Sequence, residues 1–492
     1  MNNIKCLVLI LLLNSLFLIS TANSATINAA GCSVADITTA IGSASNGDIV
    51  RVPAGNCSWN TTLTLDKRIA LIGAGTGNTN ITTTGASGYI AVTNGTNNWR
   101  ISGFSFSTTT SSWFAIMVNL YSSHTNTDWR IDHNTFTGYH YAIYSYGTLT
   151  GVIDQNYFYG GGITIDGNNN TNWAAPTALG GSNFVFVEDN QFSDTGAVTQ
   201  ILHVMYAGWG ARVVFRYNTI TAETSNGLID GIADAADAHG YCHGSNIRGT
   251  RAYEIYNNTF KTGSHESPSR AVFLRAGTGV VYNNTFDTTA KEYGYSAIGL
   301  SDYRIRTSAV GTDSATCSTL CAANVNGAAL CYPTYYRLLV ASTTGFAEGN
   351  IATGASSGAS ATVLGIGSIA KYLYFLTITG GPFTNGENLQ VGGVTKTTVA
   401  AASEVQNGEG YPCCDQIGRG EGNVSEPYYF WNNVDQNGAA VLPQVVTGTT
   451  AGYITLNTDY YNVQKLGYSS YTYPHPLTVA PQPPANLMIS SR

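Results

Sequence analysis

The densest group of chemically able side chains runs Asp230-Gly-Ile-Ala-Asp234-Ala-Ala-Asp237-Ala-His239-Gly-Tyr241-Cys-His243, with Arg248 and Arg251 just beyond. Carboxylates at Asp230, Asp234 and Asp237 offer hard oxygen ligands suited to Ca2+, and His239 or Tyr241 can exchange a proton as base or acid. The plainer alternative is a surface loop tied down by Cys242 and carrying solvated charges. A second basic group follows in Ser267-Pro-Ser-Arg270-Ala-Val-Phe-Leu-Arg275-Ala-Gly-Thr-Gly-Val280-Val-Tyr-Asn-Asn284. Its own plain alternative is two solvated arginines beside a strand. A third, Gly-spaced group is Asp415, Arg419 and Glu421, placed to contact a ligand or to close the end of the fold. Glu188-Asp189 is the best carboxylate pair for hydrolytic chemistry, but strand neighbours point to opposite faces.

Residues so far apart act together only if the chain returns repeatedly to one place, and repeats show that it does. Trp99-Arg100-Ile101 recurs as Trp129-Arg130-Ile131, thirty residues on, and Phe106 recurs as Phe136 at the same offset. An Asn-x-aromatic or Asn-x-aliphatic corner then recurs at Asn134, Asn156, Asn190, Asn218, Asn258 and Asn284, with separations of 22, 34, 28, 40 and 26 residues. Irregular periods with a constant corner predict a coil of short strands with loops of variable length between them. Asn tolerates left-handed backbone at a corner and can hydrogen-bond up a column, while the Phe or Ile two residues later returns to the interior. The predicted fold is all-β: a right-handed parallel β-helix, or solenoid. The sequons at Asn257 and Asn283 are read as corners.

The ends and interruptions follow from composition. One Lys precedes an apolar run from Cys6 to Ile19 and small residues to Ser24, the pattern of a cleaved export signal over 1–24. Residues 25–306 are expected to hold an N-terminal cap and the β-helix; the cap is the amphipathic pattern Val34, Ile37, Ala40, Ile41 before the strand Ile49 to Val52. Residues 307–334 form a Cys-rich loop segment, 335–406 an inserted β-rich module, 407–476 the last rungs and cap, and 477–492 a Pro-rich tail. The inserted module resembles a small all-β module of bacteriophage structural proteins.

Signal removal leaves 21 basic and 29 acidic residues, a net charge of −8, so no basic face is available for nucleic acid. Only 10% of residues are charged, while Gly (55) and Tyr (31) are abundant, as suits a long polar but uncharged sheet surface. Eight cysteines remain after signal removal, an even number that reads as disulfides in an exported chain. Cys32 and Cys57 bracket one compact segment and are expected to pair. For Cys317, Cys321 and Cys331 the alternative of a zinc site has poor spacing.

The stretch from Arg270 to Asn284 is similar to one in pectate lyases, where two arginines five residues apart precede a Val-x-x-Tyr-Asn-Asn strand. Trp129-Arg-Ile-Asp132-His133 also resembles that family's Trp-Ile-Asp-His motif. The chain departs from the pattern at Val272, where the family has Pro, and in the 138 residues between Asp132 and Arg270. The resemblance implies a pectate lyase-like protein in which Arg270 abstracts the proton and Arg275 binds substrate, joined here by Arg248 and Arg251. The substrate it implies is an extracellular polysaccharide containing uronic acid, cleaved by β-elimination. That reaction needs a base at C5 and neutralisation of the carboxylate by Ca2+ or Arg. An Arg base requires strong assistance, since arginine is normally always charged. Tyr139, Tyr141, Tyr144, Tyr146 and Trp209 can stack on sugar rings or fill the coil. The expected location is extracellular or at the cell surface, with no membrane contact after cleavage, and an oligomer or filament is possible. The competing expectation is a non-catalytic carbohydrate-binding, adhesin or fibre-forming protein.

Overall fold

The computed structural model describes residues 24–108, 114–121, 123–195, 201–222, 232–240, 248–262, 270–287, 297–301, 334–347, 349–367, 371–407, 417–420, 424–445 and 454–479. Three long parallel sheets wind around one apolar interior, giving the right-handed parallel β-helix. Sheet 1 has twelve strands, from Thr26–Asn28 to Tyr460–Tyr461; sheet 2 has ten, from Gly55–Trp59 to Val434–Asp435; sheet 3 has ten, from Leu63–Leu65 to Gln444–Val445. Between Thr26–Asn28 and Tyr460–Tyr461, which extend sheet 1 at its two ends, each turn contributes a strand to each sheet, so loops of different length leave the register undisturbed.

The recurring corner works by a different division of labour from the one the sequence suggests. Left-handed backbone falls on the preceding residue: His133, Gln155, Asp189, Tyr217, Asn257, Asn283 and Asn432 all have φ between +52° and +57°. The ladder Asn behind each is buried and faces the next rung. Asn190 Nδ2 donates to the carbonyls of Ile153 and Glu188 and to Asn218 Oδ1, at 2.8, 2.9 and 3.1 Å, while its own Oδ1 accepts from the Asn156 backbone N–H at 3.0 Å. Asn cannot be replaced here by an apolar residue without orphaning several buried groups. Two residues on, Phe106, Phe136, Phe158 and Phe192 stack at centroid distances of 5.5, 4.9 and 4.6 Å.

The ladder also spans the interruption. Asn284 Nδ2 donates to Asn433 Oδ1 at 2.9 Å across 149 residues, and Thr278–Tyr282 pairs directly with Tyr428–Trp431. Between them, two four-stranded antiparallel sheets enclose a separate core that includes Leu338, Leu373, Phe375 and Leu389. At the other end the helix Val34–Ser43, capped by Ser33, buries Ile37, Ala40 and Ile41 over the first rungs. Cys32 and Cys57 are joined there, as the sequence led us to expect. Cys242, Cys317, Cys321, Cys331, Cys413 and Cys414 lie outside the described residues, as do residues 1–23, which hold nearly all of the expected export signal, and residues 480–492.

A segment from Tyr468 to Val479 crosses the outer face of sheet 1. Tyr468 Oη donates to Glu254 at 2.5 Å, Arg216 donates to the carbonyls of Tyr471 and Thr472, and the His475 backbone N–H donates to Glu188. Arg216 and Glu188 are both fully buried beneath it and paired. Glu188 is thereby committed to holding this strap, and Asp189 turns away to accept from Tyr473 Oη at 2.8 Å. Neither is placed for paired-carboxylate hydrolysis.

Candidate functional site

Sheet 3 carries the side chains that the sequence singled out, and its register explains how they meet. Strands Ile201–Gly208, Ile232–Ala238 and Arg270–Leu274 lie side by side, so His203, Asp234 and Arg270 form one row and Tyr206, Asp237 and Phe273 the next. His239 and Arg275 follow immediately at the strand ends. Loop lengths between strands vary, so residues more than sixty positions apart share this patch.

Asp237 is its centre. Fully buried, it accepts from Arg275 through Nε at 3.0 Å and Nη2 at 2.5 Å. His239 Nδ1 lies 3.2 Å from Asp237 Oδ2, and His203 Nδ1 lies 3.8 Å from the same atom. Burial opposes the charge on Asp237, but Arg275 and the two imidazoles outweigh it and hold the carboxyl below its ordinary range. Burial, reinforced by Arg275, pushes His239 down to about 4, so it is neutral at pH 7. Burial lowers His203 as well, against the pull of Asp237.

The tautomer of His239 follows from its neighbour. Arg275 Nη2 is 2.6 Å from His239 Nδ1. Arginine only donates, so Nδ1 must accept and the ring proton sits on Nε2. His203 differs: its Nδ1 is buried and makes no hydrogen bond among the described residues.

Arg270 stands beside this network, 3.4 Å from Asp234 Oδ1 and with its guanidinium 3.9 Å from the Phe273 ring centroid. Asp234 is raised to about 6 by burial and by Asp237, against the pull of Arg270. This places Arg270, which the resemblance implies as the proton acceptor, beside a carboxylate at the edge of the Asp237 network.

Two of the three carboxylates expected to hold Ca2+ face arginines: Asp237 turns both oxygens to Arg275, and Asp234 Oδ1 faces Arg270. Among the described residues no three His, Cys, Asp or Glu side chains converge as metal ligands. Asp230 and Tyr241 lie outside the described residues. Arg248 and Arg251 gather around Trp173: Arg248 lies over its ring at 4.3 Å, and Arg251 donates to its carbonyl and pairs with Glu426 at 2.6 Å. In the third group Arg419 pairs with Asp459 at 3.0 Å, and Asp415 and Glu421 are outside the described residues.

The structure adds residues that sequence reasoning passed over. Tyr206 packs between the imidazoles, with ring centroids 5.5 Å from His203 and 4.9 Å from His239. One strand away, Asp166 is fully buried and raised to about 7 by burial, with Tyr144 Oη donating to it at 3.1 Å. Tyr144, Tyr146 and Trp209 continue the face as half-buried rings, 4.8 and 5.8 Å apart in succession. Only alignment in three dimensions reveals these, because His203 and Tyr206 sit in no motif. Tyr139, by contrast, is interior and bonded to Thr83.

No protein-family model matches this chain, and none of the curated proteins does. Among solved structures, an alginate lyase from Paenibacillus sp. str. FPU-7 is similar at 16% identity and a TM-score of 0.34, over 54% of this chain and 96% of that one. The PL6 family alginate lyase AlyGC is similar at 15% identity and a TM-score of 0.30, over 57% of this chain and 39% of that one. A mutant of AlyGC gives 16% and 0.34, over 56% and 40%.

Proposed function

We propose that the protein is a secreted, polysaccharide-active lyase that cleaves a uronic-acid-containing polymer by β-elimination on the outer face of sheet 3. The observation that carries this reading is the convergence of a fixed cation, Arg270, with two neutral imidazoles around Asp237 and an adjoining run of half-buried aromatic rings. Tyrosine and tryptophan rings give sugar faces a surface to stack on.

In this reading Arg270 faces the uronate carboxylate and offsets the charge that builds as the C5 proton leaves. His203 takes that proton on the ring nitrogen turned away from Asp237, whose carboxylate, 3.8 Å from Nδ1, stabilises the imidazolium formed. The electron pair released forms the C4–C5 double bond while the C4–O bond breaks, and the leaving oxygen receives the Nε2 proton of His239. Arg275 holds His239 in the required tautomer.

The test is incubation of purified protein with pectate, alginate and other uronides while following ultraviolet absorbance of the unsaturated product. His203→Ala and His239→Ala should each lower the rate about 100-fold or more. The competing reading, a carbohydrate-binding or fibre-forming protein, draws on the burial of Asp237, His239 and Arg275, which also suits a purely structural network. It predicts retention of a polyuronide with no absorbance change.

A further inference from the structure

Sheet 1 carries a groove of about 690 Å³ that the proposed reaction does not use. Arg68, Arg100, Arg130 and His133 line it, and Leu477 to Val479 form one wall. Ala70, Arg100 and Arg130 occupy one row of successive rungs, so Arg100 and Arg130 project side by side.

The counter-charges lie underneath. Asp132 is fully buried and accepts from Arg100 Nε and Nη2 at 2.6 and 2.5 Å, and Asp154 accepts from Arg130 Nε and Nη2 at 2.8 and 2.7 Å. Both guanidinium groups therefore turn Nη1 away from their carboxylates. Arg130 shows what that edge takes: its Nη1 donates to the Leu477 and Thr478 carbonyls at 3.4 and 3.3 Å. Arg100, one rung along, has a side chain 40% exposed and no described acceptor at Nη1. Arg68 makes no ion pair among the described residues. His133, held by Asp132 at 2.6 Å, opens its other ring nitrogen on the far side. Two further acids line the groove: Asp189, engaged by Tyr473, and the exposed Asp128.

We propose that this groove is a second, non-catalytic binding site for the acidic polysaccharide, with Arg68 and Arg100 taking carboxylates of nearby sugars. Arg68 lies two residues before Ala70, the rung neighbour of Arg100, so the two cations stand on adjacent rungs about 4.8 Å apart along the coil. A polymer engaged here and on sheet 3 is held more tightly than at either face alone. The identity of the ligand rests on the function proposed above; the existence of the groove does not.

The test compares the full chain with Arg68→Glu and Arg100→Gln for retention of pectate and alginate by affinity electrophoresis, alongside turnover of a short oligouronide. Arg68→Glu removes no described partner and should weaken polymer retention about tenfold, leave oligouronide turnover unchanged, and differ less from wild type at high salt. Arg100→Gln should act likewise, with folding checked by thermal melting because Asp132 loses a partner. Unchanged retention in a folded Arg68→Glu variant would overturn the proposal, as would retention of a neutral glucan in place of the polyuronides. Retention that depends on Arg68 in a wild-type protein that cleaves nothing would uphold this site and reject the lyase reading.

Discussion

Replacing Arg275 with Met tests whether the Asp237 network is one coupled unit. The side chains are similar in volume, although Met is shorter, so the change removes charge and donors more than bulk. Asp237 is fully buried and loses two hydrogen bonds, at 3.0 and 2.5 Å. Breaking a buried pair by removing one partner costs about 3–5 kcal/mol. The network has one relief, since His239 can take a proton and replace the lost positive charge. With His239 at about 4, protonating it at pH 7 costs at most about 4 kcal/mol, at 1.36 kcal/mol per pKa unit. The two routes are comparable, so a deficit of roughly 3–4 kcal/mol is expected at neutral pH. In the variant the folded-state pKa of His239 rises, because Arg275 no longer repels its proton and Asp237 is left uncompensated. Stability from that proton is present at low pH and lost as pH rises through the new pKa. The deficit relative to wild type should therefore narrow between pH 7 and pH 5, by about 1–3 kcal/mol. Denaturant unfolding of both proteins across this range, with imidazole titrations by NMR, measures it. A deficit under 1 kcal/mol, or one independent of pH, would refute the coupling.

Other outcomes follow from the same geometry. Asn190→Ala orphans buried groups on Ile153, Glu188, Asn156 and Asn218 and should cost roughly 3–5 kcal/mol in denaturant unfolding; a loss below 1 kcal/mol would mean the ladder adds little. His475 is lowered to about 4 by burial and by Arg216 and Arg130, so stability is lost as pH falls from about 6.5 toward 4. Amide exchange in 468–478 should accelerate over that interval, and His475→Phe should abolish the acceleration. Asp166, raised to about 7, penalises the fold as pH rises from about 4 to 7. Asp166→Asn should gain stability relative to wild type across that interval, and parallel pH profiles would contradict the assignment.

Much of the coil was legible because its signals are local and repeated. Asn134 through Asn284 mark the corners, and the Phe column two residues later marks the interior. The location of left-handed backbone was misread by one residue, because Asn257 and Asn283 hide the distinction that His133, Gln155 and Tyr217 reveal: any side chain that can face solvent serves there once the ladder Asn fixes the turn. The site was legible in part. Asp234, Asp237, His239, Arg270 and Arg275 do meet, since strand spacing brings them into adjacent rows. Their pairing was not legible, because whether a carboxylate faces a cation or an open space depends on side-chain geometry. The contacts of Arg248 and Arg251 with Trp173 carry no sequence signal either, since Trp173 lies more than seventy residues away. The strap over sheet 1 gave no signal, because its Tyr and His residues acquire meaning only against the distant Glu188, Arg216 and Glu254.

If the sheet 3 face performs β-elimination with Arg270 as a cation and His203 as the base, both side chains must be needed for product. The most direct measurement is absorbance of unsaturated product from a polyuronide, for wild type, Arg270→Ala, Arg270→Lys and His203→Ala at equal folded concentration. Wild type should yield product, Arg270→Lys should keep partial activity because the charge survives, and the other two should lose nearly all. No product from wild type across pectate, alginate and mixed uronides, or full activity in His203→Ala, would contradict that chemistry.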